Sequence, residues 1–124
     1  MIYWITGKSS AGKTVYAKRL KRMFNDLGTQ VLLLDGDEVR DQFADQEYDD
    51  KGRLEHIMKV AHFAALAEKQ GFLVIIALIA PKKEWRMKAR KLFEKSMLIY
   101  MPGGHLWKDT EYEEPDHEEM MCEG

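Results

Sequence analysis

Residues 2–20 read "IYWITGKSSAGKTVYAKRL", and this stretch decides the fold. The apolar and β-branched run Ile2–Thr6 has the length of a buried strand. It leads into Gly7-Lys8-Ser9-Ser10-Ala11-Gly12-Lys13-Thr14, which fits G-x-x-x-x-G-K-[ST] at every position. A helical pattern follows from Lys13 to about Asp26, with Val15, Leu20, Met23, Phe24 and Leu27 as its apolar stripe and Gly28 as its stop. Glycines at these positions let successive backbone N–H groups turn inward, and the helix that follows adds its positive end to that ring of donors. The reading is a phosphate cradle formed by Gly7, Lys8, Ser9, Ser10, Ala11, Gly12, Lys13 and Thr14. Lys13 is placed to reach the β- and γ-phosphates, and the Thr14 hydroxyl is placed to ligate Mg²⁺. A glycine-rich structural turn is the alternative, and the strand-before, helix-after context argues against it.

Outward from the cradle the chain alternates. Gln30–Asp35 is a continuous apolar run of strand length, with a short helix expected from Asp37 to about Ala44. From Arg53 to Gln70, Leu54, Ile57, Met58, Ala61, Ala64, Ala65 and Leu66 fall at helical spacing, and Gly71 ends the run. "FLVIIAL" reads as a third strand and "MLIYM" as a fourth; between them a helix begins close to Pro81 and runs to about Lys95. From Pro102 onward an irregular tail is expected. Strands that are apolar along their whole length and alternate with helices imply an α/β fold of three layers. The expected form is a P-loop NTPase fold whose mostly parallel sheet of about four strands is covered by helices on both faces. In such a sheet the loops after Thr6, Leu34, Ile79 and Met101 converge at the strands' carboxyl ends.

The 124 residues make one domain, read as a body over residues 1–104 and an acidic tail over 105–124. The net charge of −2 points to neither nucleic acid nor a membrane surface as partner. Its distribution is uneven: the body holds 18 Lys/Arg against 13 Asp/Glu, and the tail one Lys against eight acids. A mildly basic body suits an anionic small molecule, with a solvated surface as the plainer explanation. The single Cys122 excludes an intramolecular disulfide, so a reducing cytoplasm is the expected compartment. No signal peptide is expected, and the longest apolar run is far short of a membrane span. His105, His117, Cys122 and the tail acids lack zinc spacing.

The chemistry is narrowed by what surrounds the cradle. A base-reading N-K-x-D segment, required in switch GTPases, is absent, and no acid directly follows the third strand as in motor ATPases. The acids lie instead after the second strand, in "LLLDGDEVR". A carboxylate there can hold Mg²⁺ or accept the proton of an acceptor hydroxyl, while an arginine one turn on grips an anionic acceptor. Asp35, Asp37 and Arg40 have that spacing. Helix capping by one of the acids and a surface role for Arg40 are the competing explanation.

Taken with "YDDKGRLEHIMKVA", "GFLVIIALIAP" and "DTEYEEPDHEE", these stretches resemble the adenylyl-sulfate kinase family, in the family's order. That resemblance implies transfer of the γ-phosphate of ATP to the 3′-hydroxyl of adenosine 5′-phosphosulfate, with Mg²⁺ as cofactor and nucleotides as small-molecule partners. It implies that Asp37 is the catalytic carboxylate together with Lys13, and that Thr14, Asp35 and Asp37 form the metal site. It places Asp35, Asp37, Arg40, Tyr48, Arg53, His56, Leu78, Ile79 and Ala80 at the acceptor, Tyr48 by stacking on the acceptor's adenine. A packed loop anchor is the competing role for Tyr48.

The chain also departs from the family pattern. His56 stands where an asparagine is expected, Met58 where an arginine is, and Ala80-Pro81-Lys82 where the family has Ser-Pro-Tyr. The family's basic lid is missing, since "IYMPGGHLWKDTEYEEP" passes from the fourth strand almost directly to the tail. The family's final strand and helix are missing too, which leaves a homodimer that covers the sheet edge open. Arg86 and Arg90, four apart on a strongly basic helix, could face the nucleotide in the lid's place; a solvated surface is the expected role for most of that helix's charges. His105 and Trp107 could cover a base or close the sheet edge. A kinase with another nucleoside or small-alcohol acceptor and a nucleotide-binding regulator without turnover stay open beside the first reading.

Overall fold

The computed structural model describes residues 1–8, 11–42, 49–104 and 111–121. Four strands, β1 (Ile2–Gly7), β2 (Val31–Asp35), β3 (Leu73–Ala77) and β4 (Ser96–Met101), form one sheet in the order β2-β3-β1-β4. Every pairing is parallel: Trp4 sits opposite Ile76 and Leu98, and Asp35 opposite Ala77. Among the described residues, five helices accompany them: α1 (Lys13–Asp26), α2 (Gly36–Gln42), α3 (Asp50–Lys69), α4 (Lys83–Arg90) and α5 (His117–Met121). The three-layer α/β architecture follows from strand alternation. Ile2 and Trp4 of β1 point into a core with Ile57, Val60, Ile76, Trp85 and Leu98, under α3 and α4. Ile5 points the opposite way, to Ala17, Ile75 and Ala77 under α1. Trp4 also spends its indole N–H on the Leu78 carbonyl, at 3.2 Å, so the ring fixes the loop after β3 as well as filling the core.

Several boundaries and faces differ from the sequence reading. α1 buries Ala17, and packs Tyr16, Leu20 and Phe24, where Val15, Met23 and Leu27 are exposed; the apolar stripe is rotated toward the small Ala17, which lets the helix approach the sheet. On α3, Leu66 is exposed, while Val60 and His56 are buried. α3 begins three residues before Arg53 because Asp49 caps it, its carboxylate accepting from Gly52 N at 2.8 Å. α4 stops at Arg90, short of Lys95. Phe93 turns inward to meet the Trp4 ring edge-on, at 6.4 Å and 66°, and the Glu68 carboxylate accepts from the amides of Glu94 and Lys95 at 2.9 and 3.2 Å. Burial alone would raise the Glu68 carboxyl; the two amides and the neighbouring α-amino group outweigh it and hold the group below its usual range.

The larger correction concerns the tail. Residues 111–121 are docked on the body and end in the short α5. Arg86 is fully buried beneath them, its Nε and Nη2 donating to the two Glu119 carboxylate oxygens at 2.6 and 3.2 Å. The same guanidinium donates to Ala80 O at 2.5 Å and Glu113 O at 2.7 Å. Arg90 donates to Glu119 O at 2.8 Å and to the Ser96 hydroxyl at 3.1 Å. Arg86 and Arg90 are therefore neither solvated nor turned to a nucleotide; they hold the acidic segment in place. Among the described residues, no helix is long and apolar enough to cross a membrane.

Candidate functional site

The parallel order brings the ends of β1 and β2 and the start of α1 to one corner, with β3 between the two strands. Gly7 closes β1 opposite Met101 of β4. A Cβ on Gly7 would lie 2.6 Å from Met101 O and 3.3 Å from Met101 Cβ, so only glycine lets the chain leave the sheet there. Gly12 takes φ 90°, in the left-handed region, and hands over to α1 without any side-chain cap or first-turn acid. The first amides of α1 are thus left to a ligand, and the helix dipole favours an anionic one. Lys13 Nζ reaches back across the loop and donates to Lys8 O at 2.6 Å. Burial lowers the Lys13 ammonium below an ordinary lysine, while Asp37 and Asp35 push it back up, so the three charges share one small space.

The acidic turn meets the cradle through a hydrogen bond. Thr14 Oγ1 donates to Asp35 Oδ2 at 2.8 Å, and Asp35 Oδ1 accepts from Asp37 N at 2.9 Å. Asp35 is buried and stays polar by serving both; Asp37 stands exposed at the start of α2. A hydroxyl and a carboxylate side by side are hard oxygen donors of the kind Mg²⁺ takes. Mg²⁺ is usually held by one or two carboxylates plus substrate phosphates, and Thr14 with Asp35 supplies a set of that size. The donor set fits the ion.

On the acceptor side, Gly36 is the tight point. A Cβ there would meet Leu78 Cδ1 at 2.6 Å and would sit 3.6 Å from His56 Nε2. His56 is 3% exposed, and its Nδ1 finds no hydrogen-bond partner among the described residues. Burial is the chief reason its pKa falls to about 4; Arg40 and Lys59 add to the fall, and a hydrogen bond to the Gly36 backbone opposes it. The ring is consequently neutral at pH 7. Arg40, one turn after Asp37 on α2, belongs to this corner, since its charge is felt at His56. Arg53 lies in the first turn and a half of α3, half-buried. Leu78 and Ala80 do not stand as free pocket walls.

 The carbonyl of Leu78 is taken by Trp4, that of Ala80 is taken by Arg86, and both side chains are buried in the core. Ile79, between them, is only partly buried. Ser9, Ser10, Tyr48, His105, Trp107 and Cys122 lie outside the described residues.

On sequence alone Gly36 carried no role of its own, and Met101 only marked the end of the fourth strand. Both matter sterically. Gly36 lets β2 turn against Leu78, and Met101 packs on Gly7 and reaches to 3.8 Å from where a Gly12 Cβ would stand. The only signal for Met101 was its place at the end of a buried strand, where register decides its neighbours.

The adenylylsulphate kinase family model matches residues 1–103. A probable adenylyl-sulfate kinase of Archaeoglobus fulgidus is 31% identical over 146 aligned residues, covering 98% of this chain and 94% of that protein. An adenylyl-sulfate kinase of Paraburkholderia xenovorans is 39% identical over 92 residues, 73% of this chain, but this chain spans only 51% of its length. Among solved structures, the Mycobacterium tuberculosis APS kinase in complex with AMPPNP and APS superposes with a TM-score of 0.77 at 29% identity, covering 82% of this chain and 61% of that one. The cradle, the acidic turn after β2 and these matches agree: the chain belongs to the adenylylsulphate kinase family.

Proposed function

We propose that this protein is an ATP-dependent kinase that transfers the γ-phosphate to the 3′-hydroxyl of adenosine 5′-phosphosulfate in the cytoplasm. The observation that carries the reading is the Thr14–Asp35 hydrogen bond, which joins the phosphate-loop helix to the acidic turn where an acceptor would sit. The loop amides and the α1 N-terminus hold the β- and γ-phosphates, and Lys13 swings from the Lys8 carbonyl onto their oxygens. Thr14, Asp35 and Asp37 would hold Mg²⁺, which would offset charge on the phosphates when bound. Asp37, exposed beside Asp35, accepts the proton of the attacking hydroxyl. Arg40 and Arg53 bind the anionic end of the acceptor, and Tyr48 stacks on its base.

His56 favours a second reading of the acceptor alone. A neutral, buried imidazole stands where the family has an asparagine, and Met58 stands where it has an arginine, so this side offers less to a phosphosulfate and suits another nucleoside or small alcohol. Incubation with Mg-ATP and adenosine 5′-phosphosulfate tests both. ADP formed in step with a 3′-phosphorylated product, and lost in Asp37→Ala, supports the first reading. No ADP above the Asp37→Ala background refutes it, and ADP formed only with a different hydroxyl acceptor moves the assignment to the second.

A further inference from the structure

Tyr112 belongs to the docked tail, yet its phenol reaches the strand that enters the phosphate loop. Its hydroxyl lies 2.9 Å from Thr6 Oγ1, one residue before Gly7. Thr6 is fully buried on the α3–α4 face of the sheet, so its hydroxyl has no access to solvent. Tyr112 is itself held on three sides. Its ring stacks on Tyr100, the β4 residue opposite Thr6, with centroids 6.1 Å apart and planes at 19°. The Arg86 guanidinium lies 5.6 Å from the ring centroid on another side. The next residue is pinned at both backbone groups, with Glu113 N donating to Pro81 O at 2.6 Å and Glu113 O accepting from Arg86 at 2.7 Å. Burial above all pushes the phenol up to about 12, so it stays protonated and available for the bond at any working pH.

We propose that Tyr112 is a positioning residue for nucleotide binding: through Thr6 it fixes the end of β1 and thereby the direction in which the phosphate loop leaves the sheet. The inference rests on the kinase reading above. A phosphate loop is anchored at two ends, by α1 after Gly12 and by β1 before Gly7. Its amides hold phosphate only if both ends keep their places. The Gly7 end is confined by Met101 O on one side, where a Cβ would come within 2.6 Å, and by the Thr6–Tyr112 bond one residue earlier. Arg86 bonds Ala80 O in the loop after β3 as well as the tail, so the docked segment spans the donor and acceptor sides of the same corner. Removing only the phenol oxygen keeps the ring in its stack and leaves the buried Thr6 hydroxyl unsatisfied, and β1 relaxes at the point where the loop begins.

The test is a titration of Mg-ATP into wild type, Tyr112→Phe, Thr6→Val and the double variant, with steady-state kinetics and urea unfolding on the same four proteins. Tyr112→Phe is expected to weaken ATP binding about fivefold and to raise the KM for ATP in step, with kcat within about twofold of wild type. The acceptor's KM is expected to stay unchanged. Thr6→Val should lose a similar factor, and the double variant should bind no worse than either single one, because both remove the same bond. A purely structural bond would lower the urea midpoint without this split between KM and kcat. ATP affinity in Tyr112→Phe equal to wild type, or losses that multiply in the double variant, would overturn the inference and leave the kinase reading intact. Wild type that binds no Mg-ATP would overturn both.

Discussion

Replacing Arg86 by methionine is expected to destabilise the protein far beyond an ordinary surface change. The guanidinium is fully buried and donates to four oxygens: both of the Glu119 carboxylate, Ala80 O and Glu113 O. The Glu119 side chain is 2% exposed, so the variant would strand its charge in the core. Breaking one side of a buried ion pair costs about 3–5 kcal/mol. The cheapest relief is to release α5, which returns Glu119 to water at the cost of the tail's own docking. The expected loss in unfolding free energy is therefore about 3 kcal/mol, a large part of the ~5–15 kcal/mol typical of a domain. In a chain of this size that lowers Tm by roughly 10–15 °C. Urea unfolding measures it, with limited proteolysis reporting whether residues 111–121 come loose first. Arg86→Met with Glu119→Leu removes both charges and should recover most of the loss, since a well-packed apolar pair can replace a buried ion pair at little net cost. A single variant that loses less than about 1 kcal/mol, or a double variant less stable than the single, would refute the assignment of this pair as the tail's anchor.

Gly7→Ala should lower ATP affinity at least about tenfold and cost about 1–3 kcal/mol of stability, because its Cβ meets the Met101 carbonyl at 2.6 Å and backbone must shift; calorimetric titration and urea unfolding read the two effects, and unchanged ATP affinity would contradict the loop's close approach. The His56 pKa is lowered in the folded state, to about 4, below its ordinary 6.5. Its contribution is therefore present above pH 6.5 and is lost as pH falls from 6.5 toward 4, by up to about 3 kcal/mol. The stability of wild type relative to His56→Asn should fall over that window and level off below it; a difference constant from pH 7 to pH 4 would show that the ring is not buried neutral. Thr14→Val should abolish Mg²⁺-dependent ATP binding while leaving the fold intact, because it removes a hydroxyl that donates to Asp35 at 2.8 Å without changing side-chain volume much; titration with and without Mg²⁺ reads it, and Mg²⁺-dependent binding at wild-type strength would count against the metal site.

The architecture was legible because it rests on local patterns. Continuous apolar runs in β2 and β3 marked strands covered on both faces, and Gly28 and Gly71 marked the ends of α1 and α3. The cradle was legible because a phosphate loop needs particular residue types at fixed spacing, and Thr14 and Asp35 could be brought together once the strands were parallel. What escaped depended on contacts far apart in the chain. Arg86 and Glu119 are 33 residues apart, and each on its own reads as a solvated charge; only docking buries them as a pair. Thr6 and Tyr112 are separated by 106 residues, so nothing local marks either as the other's partner. The face of α1 was misread for a different reason: Ala17, small and weakly apolar, is buried, whereas the larger Val15 and Met23 are not, because close approach to the sheet selects for size.

A kinase of this design encloses a triphosphate with the backbone from Gly7 to Thr14 while the Asp35–Arg40 turn faces it. A crystal structure of the protein with Mg-AMPPNP tests this most directly. The β- and γ-phosphates are expected inside the ring of loop amides, with Lys13 moved from the Lys8 carbonyl onto them and the metal beside Thr14 and Asp35. Nucleotide bound elsewhere, or an acidic turn that faces away from the γ-phosphate, would contradict it.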